Sequence, residues 1–403
     1  MADIDDRWFR SEPGKPQKVP TARYGKGKRW DVRWRDDAGR QRHKAFDRKA
    51  DAERFLAQVM ADLARGTYFD PRAGRVAFRT YAEQWRAAQV HRATTAAQVE
   101  THLRRHVYPT FGDRSLASVR PSEVQAWVRG LEQRLAPSTI QVVYSFVAGV
   151  FRAAVRDRLI VATPCVDVRL PKRQPKRVEP LATERVEALI AAMPERYRAL
   201  VVLAAGTGLR QGEAFGVEVE AVDWLRRTLE VRQQLVLMPG GAPYVAPLKT
   251  PASYRTVPLP GVVVDALTAH LAAFPAVEVE LLDTTSKPTA KRRPAAFIFT
   301  TSAGLPIRRT RFSDVWRTAA KAAALPAGAS FHDLRHYYAS LLIQHGESVK
   351  VVQKRLGHKS AVETLDTYSH LWPDSEDRTR EAVDAVLGRR VGAGKEAVGS
   401  QPN

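Results

Sequence analysis

The pattern of apolar and polar residues predicts a small mixed module at the start of the chain. Residues 29–35 alternate strictly between apolar and charged side chains, which is typical of a strand with one buried face. A turn and a return strand, residues 40–46, follow, and residues 50–63 then show the apolar spacing of a helix. The first 20 residues are polar with scattered prolines and predict a flexible arm. We therefore predict a small α+β module within residues 1–66.

A purely helical pattern follows. Between residues 76 and 164 the apolar side chains recur every three or four positions, most strongly in residues 140–151, which predicts an all-α domain. No apolar run approaches the roughly 20 residues of a membrane-spanning helix, so no membrane partner is expected. Residues 165–180 are basic and contain several prolines, which predicts an extended linker between domains.

The remainder of the chain predicts a third domain, residues 181–390, that is mainly α-helical with a small β-sheet. Its predicted segments include a strand over 228–237, an exposed polar loop over 276–294 and an amphipathic helix over 374–387. The composition of residues 391–403 predicts a disordered tail. The fold expected from the pattern is therefore multidomain, with three domains of different composition.

The charge of the chain points to a polyanionic partner. Its 403 residues carry a formal net charge of +21, and nucleic acid is the natural partner for such an excess. Residues 15–54 alone contain 14 Lys and Arg against 6 Asp and Glu, so the predicted first sheet would present a basic face to the major groove. The chain contains a single cysteine, Cys165, which excludes an internal disulfide and a cysteine-based metal site. A reducing cytoplasm is therefore the simplest location for the protein.

Four candidate chemical groups occur near the C-terminus. His332 and Arg335 are three residues apart, so they share one face of a predicted helix. Glycines end this helix and the next one, and the second glycine presents His358, after which a short helix carries Tyr368. Two imidazoles, a guanidinium and a phenol can hold and attack a phosphodiester. His336 forms an i, i+4 pair with His332, which we interpret as incidental and not as a metal site.

The order of these groups resembles the catalytic C-terminus of the tyrosine recombinases, the phage integrases. H-x-x-R, then L-G-H, then a tyrosine ten residues later is the pattern that carries the resemblance. Upstream, T-G-L-R-Q-G-E at residues 207–213 resembles the first catalytic box of the family. Lys249, followed by R-T-V-P-L at residues 255–259, resembles its hairpin lysine and the strand after it. The resemblance implies a catalytic set of Arg210, Lys249, His332, Arg335, His358 and Tyr368, supported by Glu213.

The resemblance also implies how these residues act. Tyr368 would attack a DNA phosphate, form a 3′-phosphotyrosyl link and free a 5′ hydroxyl, whose departing oxygen Lys249 would protonate. The two arginines would bind the non-bridging oxygens, His332 would accept a proton or bind an oxygen, and His358 would donate to the phosphate. Glu213 would orient the arginines and histidines. The covalent intermediate stores the bond energy, so neither ATP nor a metal or other cofactor is expected.

The other two domains resemble DNA-binding parts of the same family. The first module resembles the arm-type DNA-binding domain of many integrases, and Y-P-T-F-G at residues 108–112 resembles a turn of the core-binding domain. The basic residues expected to contact DNA are Arg29, Arg33, Arg35, Arg104, Arg105, Lys172 and Arg173.

The resulting hypothesis is a site-specific DNA recombinase that integrates, and with a partner excises, a phage or mobile element through a Holliday junction. Its expected partners are double-stranded attachment sites, three further copies in a homotetramer, a host DNA-bending protein and an excision directionality factor. It would work in the bacterial cytoplasm, on the nucleoid. Alternatives are a chromosome-dimer resolvase of the same family, which usually lacks a basic N-terminal module, a catalytically silent DNA-binding regulator, and a type IB topoisomerase.

Overall fold

The chain folds into two compact units, Met1–Gln174 and Pro175–Asn403, which are described separately. The computed structural model describes residues 2–13, 17–36, 39–66, 68, 70, 72–173, 177–237, 241–286, 290–372, 380, 381 and 383–387. The boundary between the two units falls inside the predicted inter-domain linker.

The first unit begins with a three-stranded antiparallel sheet covered by one helix. Its elements are β1 (Asp3–Asp6), a short pair β2 (Phe9–Arg10) and β3 (Val19–Pro20), β4 (Trp30–Arg35), β5 (Gln41–Phe46) and α1 (Lys49–Ala64). The predicted strands and helix are confirmed, and β4 lies in the centre of the sheet. The expected flexible arm is wrong for residues 3–6, because they pair with β4 through backbone hydrogen bonds. Ion pairs of Arg29 with Asp6 and of Arg33 with Asp5 reinforce that pairing.

This module extends beyond its predicted end at residue 66. Tyr68 is buried, and its hydroxyl accepts a hydrogen bond of 3.0 Å from Trp34 Nε1. Asp70 forms an ion pair of 2.6 Å with Arg42 of β5. Gly74, in contrast, belongs to the next domain, since a Cβ there would lie 2.7 Å from Ala117 Cβ. The boundary between the two domains therefore lies between residues 70 and 74.

The rest of the first unit is all-helical, as predicted. Its helices are α2 (Phe78–Ala88), α3 (Ala93–His102), α4 (Tyr108–Phe111), α5 (Pro121–Glu132) and α6 (Pro137–Arg156), with a π-helical turn (Leu103–Val107) between α3 and α4. Judged by length and composition alone, α6 is long and apolar enough to span a membrane. The expectation that no apolar run reaches this length is therefore wrong for α6. Its apolar residues Ile140, Val147 and Phe151 are fully buried against the other helices, which accounts for that composition.

The predicted linker begins later than expected. The side-chain amide of Gln125 exchanges hydrogen bonds of 3.1 and 2.7 Å with the backbone of Arg169. Gln141 Nε2 donates to the carbonyl oxygen of Pro171 at 3.0 Å. Val168 and Leu170 pack on the same helical core. Residues 165–171 are therefore part of the helical domain, and the first exposed basic residues after it are Lys172 and Arg173.

The second unit combines eight α-helices up to Tyr368 with two small sheets among its described residues. The helices are α7 (Thr183–Ala192), α8 (Glu195–Thr207), α9 (Gln211–Phe215), α10 (Gly261–Ala273), α11 (Arg309–Ala322), α12 (Asp333–Gln344), α13 (Val349–Leu356) and α14 (Ala361–Tyr368). The strands are β6 (Val222–Asp223), β7 (Thr228–Val231), β8 (Gln233–Leu237), β9 (Pro243–Pro247), β10 (Arg255–Pro258), β11 (Val277–Asp283) and β12 (Lys291–Phe297). The predicted mainly α-helical content with a small sheet fits these elements, with two sheets instead of one.

Two predicted segments of this unit are wrong. The single strand over 228–237 divides at Arg232, because β7 pairs with β6 and β10 whereas β8 pairs with β9 in the other sheet. The exposed loop over 276–294 is instead the antiparallel hairpin of β11 and β12. Leu281, Ala295 and Phe297 of this hairpin are buried, and Arg293 forms ion pairs with Glu218 and Asp283. The alternation V-E-V-E-L at residues 277–281 carried this signal, but the surrounding polar residues obscured it.

The end of the chain is described only in part. Residues 380, 381 and 383–387 are helical, and Val383, Val386 and Leu387 are exposed. Residues 374–379 of the predicted helix, and the predicted tail over 391–403, lie outside the described residues.

Candidate active site

Two left-handed glycines shape the backbone around the predicted catalytic residues. Gly208 ends α8 and Gly357 ends α13, each with φ of +65°. A Cβ on Gly208 would lie 2.5 Å from the Tyr338 ring, and one on Gly357 would lie 2.9 Å from the carbonyl oxygen of Ala252. Both turns therefore require glycine. Gly206, by contrast, lies within α8, where a side chain would collide with Val263 of α10.

Arg335 joins these two turns from the centre of the site. Its side chain is fully buried, and its guanidinium donates to the Gly208 carbonyl at 2.7 Å and to the Leu356 carbonyl at 2.6 Å. Burial and the neighbouring Arg210 guanidinium lower the pKa of Arg335. Because guanidinium groups keep their proton in proteins, Arg335 remains a cation that an incoming anion would stabilise.

Glu213 fixes the second guanidinium. Arg210 precedes α9. One carboxylate oxygen of Glu213 accepts a hydrogen bond of 3.0 Å from the backbone N–H of Arg210, and the other accepts one of 3.0 Å from Arg210 Nη1. The same carboxylate forms an ion pair of 2.9 Å with the buried Arg255. Burial would raise the pKa of Glu213, but Arg255 and Arg210 outweigh it and lower that pKa. Among the described residues Glu213 contacts arginines and no histidine, so its expected contact with the histidines is absent there.

The predicted lysine follows the β8–β9 hairpin and does not lie within it. Lys249 is exposed and sits two residues beyond β9. The hydroxyls of Thr250 and Ser253 in the same loop are hydrogen-bonded at 2.9 Å, and Ser253 Oγ lies 3.5 Å from Arg210 Nη1. The loop that carries Lys249 is therefore tied to the guanidinium of Arg210.

Tyr368 is buried between two imidazoles. Its side chain is 1% exposed, and its ring stacks on that of His358 at an angle of 13° and a centroid distance of 6.4 Å. Its hydroxyl oxygen lies 2.8 Å from Nδ1 of His336, the residue that sequence analysis set aside as incidental. Burial raises the pKa of Tyr368 to about 12, and the charge of Arg335 opposes that rise.

The other two predicted histidines are neutral at neutral pH. Burial, followed by the Arg335 and Arg210 charges, lowers the pKa of His358 to about 3, and its Nδ1 lies 2.8 Å from Thr364 Oγ1. If the Thr364 hydroxyl donates to Nδ1, the Nε2–H of His358 is left as a donor. His332 is open to solvent on one side, yet desolvation by the surrounding protein and the neighbouring His336 lower its pKa to about 4.

Sequence reasoning missed four residues of this site. Their hydrogen bonds hold or reach the predicted catalytic groups, and they are Ser253, Arg255, His336 and Thr364. Arg255 stood inside the R-T-V-P-L motif and His336 directly follows the H-x-x-R motif, so their positions were a usable signal. Ser253 and Thr364 carried no sequence signal, because only the fold brings their hydroxyls to the site.

The predicted DNA-contacting arginines of the first module are partly engaged within the protein. Arg29 pairs with Asp6 at 2.8 Å and stacks on Trp30 and Phe9, and Arg33 pairs with Asp5 at 2.6 Å. Arg35 is exposed and donates to a backbone carbonyl at 3.1 Å. In the helical domain Arg104 and Arg105 are both exposed on the π-helical turn. These surfaces remain predicted DNA contacts.

The central site can bind an anion next to a phenol. Arg210 and Arg335 supply two permanent positive charges, and each of them favours the ionised form of Tyr368. A phosphate diester is one anion whose two non-bridging oxygens can each accept hydrogen bonds from a guanidinium. With neutral imidazoles as further donors or acceptors, the arrangement suits attack by Tyr368 on a bound phosphate.

Comparisons with known proteins agree with this chemistry. The Phage integrase family model matches residues 179–374, and the Phage integrase central domain model matches residues 78–170. A putative prophage phiRv2 integrase of Mycobacterium tuberculosis is 27% identical over 354 residues, which cover 86% of this chain and 88% of that protein. The integrase of Mycobacterium phage D29 is 27% identical over 324 residues, which cover 78% of this chain and 82% of the phage protein.

Solved structures share the fold at lower identity. A Tn1549 transposon integrase in complex with transposon right end DNA aligns with a TM-score of 0.63 and 22% identity, over 77% of this chain and 100% of that one. A lambda integrase tetramer bound to a Holliday junction aligns with a TM-score of 0.55 and 18% identity, over 86% and 95% of the two chains. The two family models together span more than half of the sequence. The chain belongs to the phage integrase family, the tyrosine-type site-specific DNA recombinases.

Proposed function

We propose that this recombinase integrates the DNA of a phage or another mobile element and, with a partner, excises it. The observation that carries the proposal is the burial of Tyr368 beside Arg335 and Arg210, whose charges favour its phenolate. The basic module at the N-terminus favours an integrase over a chromosome-dimer resolvase of the same family. A type IB topoisomerase would relax plasmids that lack an attachment site, whereas this protein should not.

The proposed reaction assigns roles to five groups of the site. Arg210 and Arg335 bind the non-bridging oxygens of the scissile phosphate and stabilise the charge that accumulates in the transition state. Tyr368 attacks phosphorus and forms a 3′-phosphotyrosine. Lys249 gives a proton to the departing 5′ oxygen, and the Nε2–H of His358 donates to the phosphate. The 5′ hydroxyl of the partner strand then reverses the step, and two such exchanges form and resolve a Holliday junction.

The proposed assembly is a homotetramer on double-stranded attachment sites. The relatives of known structure include a lambda integrase tetramer on a Holliday junction, which supports this state by analogy. A host DNA-bending protein and an excision directionality factor are proposed further partners, since recombination over long attachment regions requires bent DNA and a chosen direction. Because the proposed substrate is bacterial DNA, the proposed location of the protein is the bacterial cytoplasm, on the nucleoid.

We expect Lys249→Ala to slow cleavage of a normal phosphodiester far more than cleavage of a substrate with a 5′-bridging sulfur. Sulfur leaves without a proton, so only the oxygen leaving group needs a general acid, which typically contributes about 10²–10⁴-fold. The measurement is the single-turnover rate of covalent adduct formation on both substrates. Lys321→Ala, at an exposed lysine of α11, is the matched control. Equal slowing of both substrates by Lys249→Ala would remove Lys249 from the general-acid role.

We expect removal of residues 1–72 to abolish binding to separate arm-type sites while core-site binding remains. The cut lies between Asp70, which pairs with Arg42, and Gly74, which packs on the helical domain, so neither core is divided. Footprinting of a full attachment region measures the result. Because the module carries many Lys and Arg, arm binding should also fall steeply with salt. An unchanged footprint after the deletion would contradict the two-site assignment.

A further inference from the structure

His336 makes the closest polar contact to the proposed nucleophile. It lies on α12 next to Arg335, whereas Tyr368 ends α14, and Nδ1 of the imidazole is 2.8 Å from the phenol oxygen. The two rings meet edge to face, with centroids 5.6 Å apart and an angle of 64°. A neutral imidazole with its proton on Nε2 accepts the phenol hydrogen in this geometry.

The other histidines are less well placed to take that proton. Within the described part of the chain, His336 is the one side chain hydrogen-bonded to the hydroxyl of Tyr368. His358 stacks flat against the phenol ring, and its Nδ1 contacts Thr364. His332, which was expected to accept a proton or to bind an oxygen, contacts the His336 ring at a centroid distance of 4.9 Å, and no hydrogen bond joins it to Tyr368 among the described residues.

We propose that His336 is the general base for Tyr368, an inference that rests on Tyr368 being the nucleophile. As the phenol oxygen bonds to phosphorus and the bond from phosphorus to the 5′ oxygen breaks, the phenol proton moves to His336 Nδ1. The 5′ oxygen takes its proton from Lys249. In rejoining, a 5′ hydroxyl attacks the phosphotyrosine and gives its proton to Lys249, while the imidazolium of His336 returns a proton to the departing phenolate. Atoms and charges balance over the two steps.

The surroundings of His336 keep it in the form that accepts a proton. Burial lowers the pKa of His336. The charge of Asp333 on the same helix raises that pKa, and the charge of Arg335 lowers it further. His332 and Tyr368 are the titratable groups in ring contact with it. A neutral imidazole is thus present at neutral pH. A bound phosphate brings negative charge close to this helix, which favours the imidazolium formed in the reaction.

His336→Asn and His336→Ala separate proton transfer from orientation. The Asn carbonyl oxygen can accept a hydrogen bond near the position of Nδ1 but does not take up a proton. A general-base role for His336 predicts that both variants cleave a nicked suicide substrate at least about 10²-fold more slowly than the wild-type protein and still bind the site. Wild-type cleavage should be level with pH above the lowered pKa of His336, whereas both variants should speed up as pH rises because solvent must remove the phenol proton. His345→Asn, at an exposed histidine just after α12, is the matched control.

A more acidic phenol gives a second and independent readout. Replacing Tyr368 by 3,5-difluorotyrosine lowers the pKa of the phenol, so a base is less necessary, and cleavage by the His336→Ala protein should recover at least tenfold. Cleavage by His336→Asn within threefold of wild type would overturn the proposal and leave His336 as a residue that only orients Tyr368. Failure of the fluorinated phenol to restore activity would overturn it as well. Tyr368→Phe is run in parallel, since an adduct with that variant would refute the nucleophile itself.

Discussion

Replacement of Tyr368 by Phe should abolish the covalent protein–DNA adduct and leave site binding intact. The phenyl ring keeps its stacking on His358 and its place in the small cluster around Tyr338 and Leu356, so the fold loses one hydroxyl and its hydrogen bond to His336. That hydroxyl is the proposed nucleophile, and no other atom of the ring can replace it. The measurement is capture of a nicked suicide substrate, with site binding followed by gel shift.

The matched control for this change is Tyr337→Phe. Tyr337 lies on α12 and, like Tyr368, is buried. Its hydroxyl donates to Thr183 at 3.1 Å, away from the phosphate site. The Tyr337→Phe protein loses a comparable hydrogen bond, and it should form the covalent adduct at nearly the wild-type rate. Persistent adduct in the Tyr368→Phe protein would mean that another residue attacks the DNA.

Arg210→Lys should slow cleavage by about 10²–10³-fold, the usual cost of removing one donor to a developing oxyanion. Lysine keeps the positive charge but loses the planar fork that contacts Glu213 and lies close to Ser253 and the Gly357 carbonyl. Because this loss is felt mostly in the transition state, DNA binding should weaken far less than the rate. Single-turnover cleavage at saturating protein, beside a binding titration, measures the difference.

Arg226→Lys is the control for an ordinary surface arginine. Arg226 is 85% exposed and makes a 3.5 Å ion pair with Asp223, a kind of contact that contributes little to stability. Its cleavage rate should match that of the wild-type protein. A rate for Arg210→Lys within about threefold of wild type would show that charge alone, and not the guanidinium geometry, serves the phosphate at this position.

The sequence by itself determined the identity of the chemistry. Spacing along a helix placed His332 and Arg335 together, glycines marked the ends of α12 and α13, and the order of motifs selected the proposed catalytic set. Periodicity also identified the helical domain and the strands β4 and β5. These signals are local, because they depend on helix and strand geometry over a few residues, and such geometry is encoded by neighbouring side chains.

Only the tertiary structure decided which groups touch. His336 resembled an incidental neighbour of Arg335 until α14 brought Tyr368 to within 2.8 Å of it, 32 residues further along the chain. Glu213 and Arg255 are 42 residues apart and meet inside the core. The pairing of residues 3–6 with β4, and the packing of residues 165–171 on the helical domain, likewise depend on partners distant in sequence. A one-dimensional pattern records whether a side chain is suited to burial, and the partner that covers it is set by the packing of the whole domain.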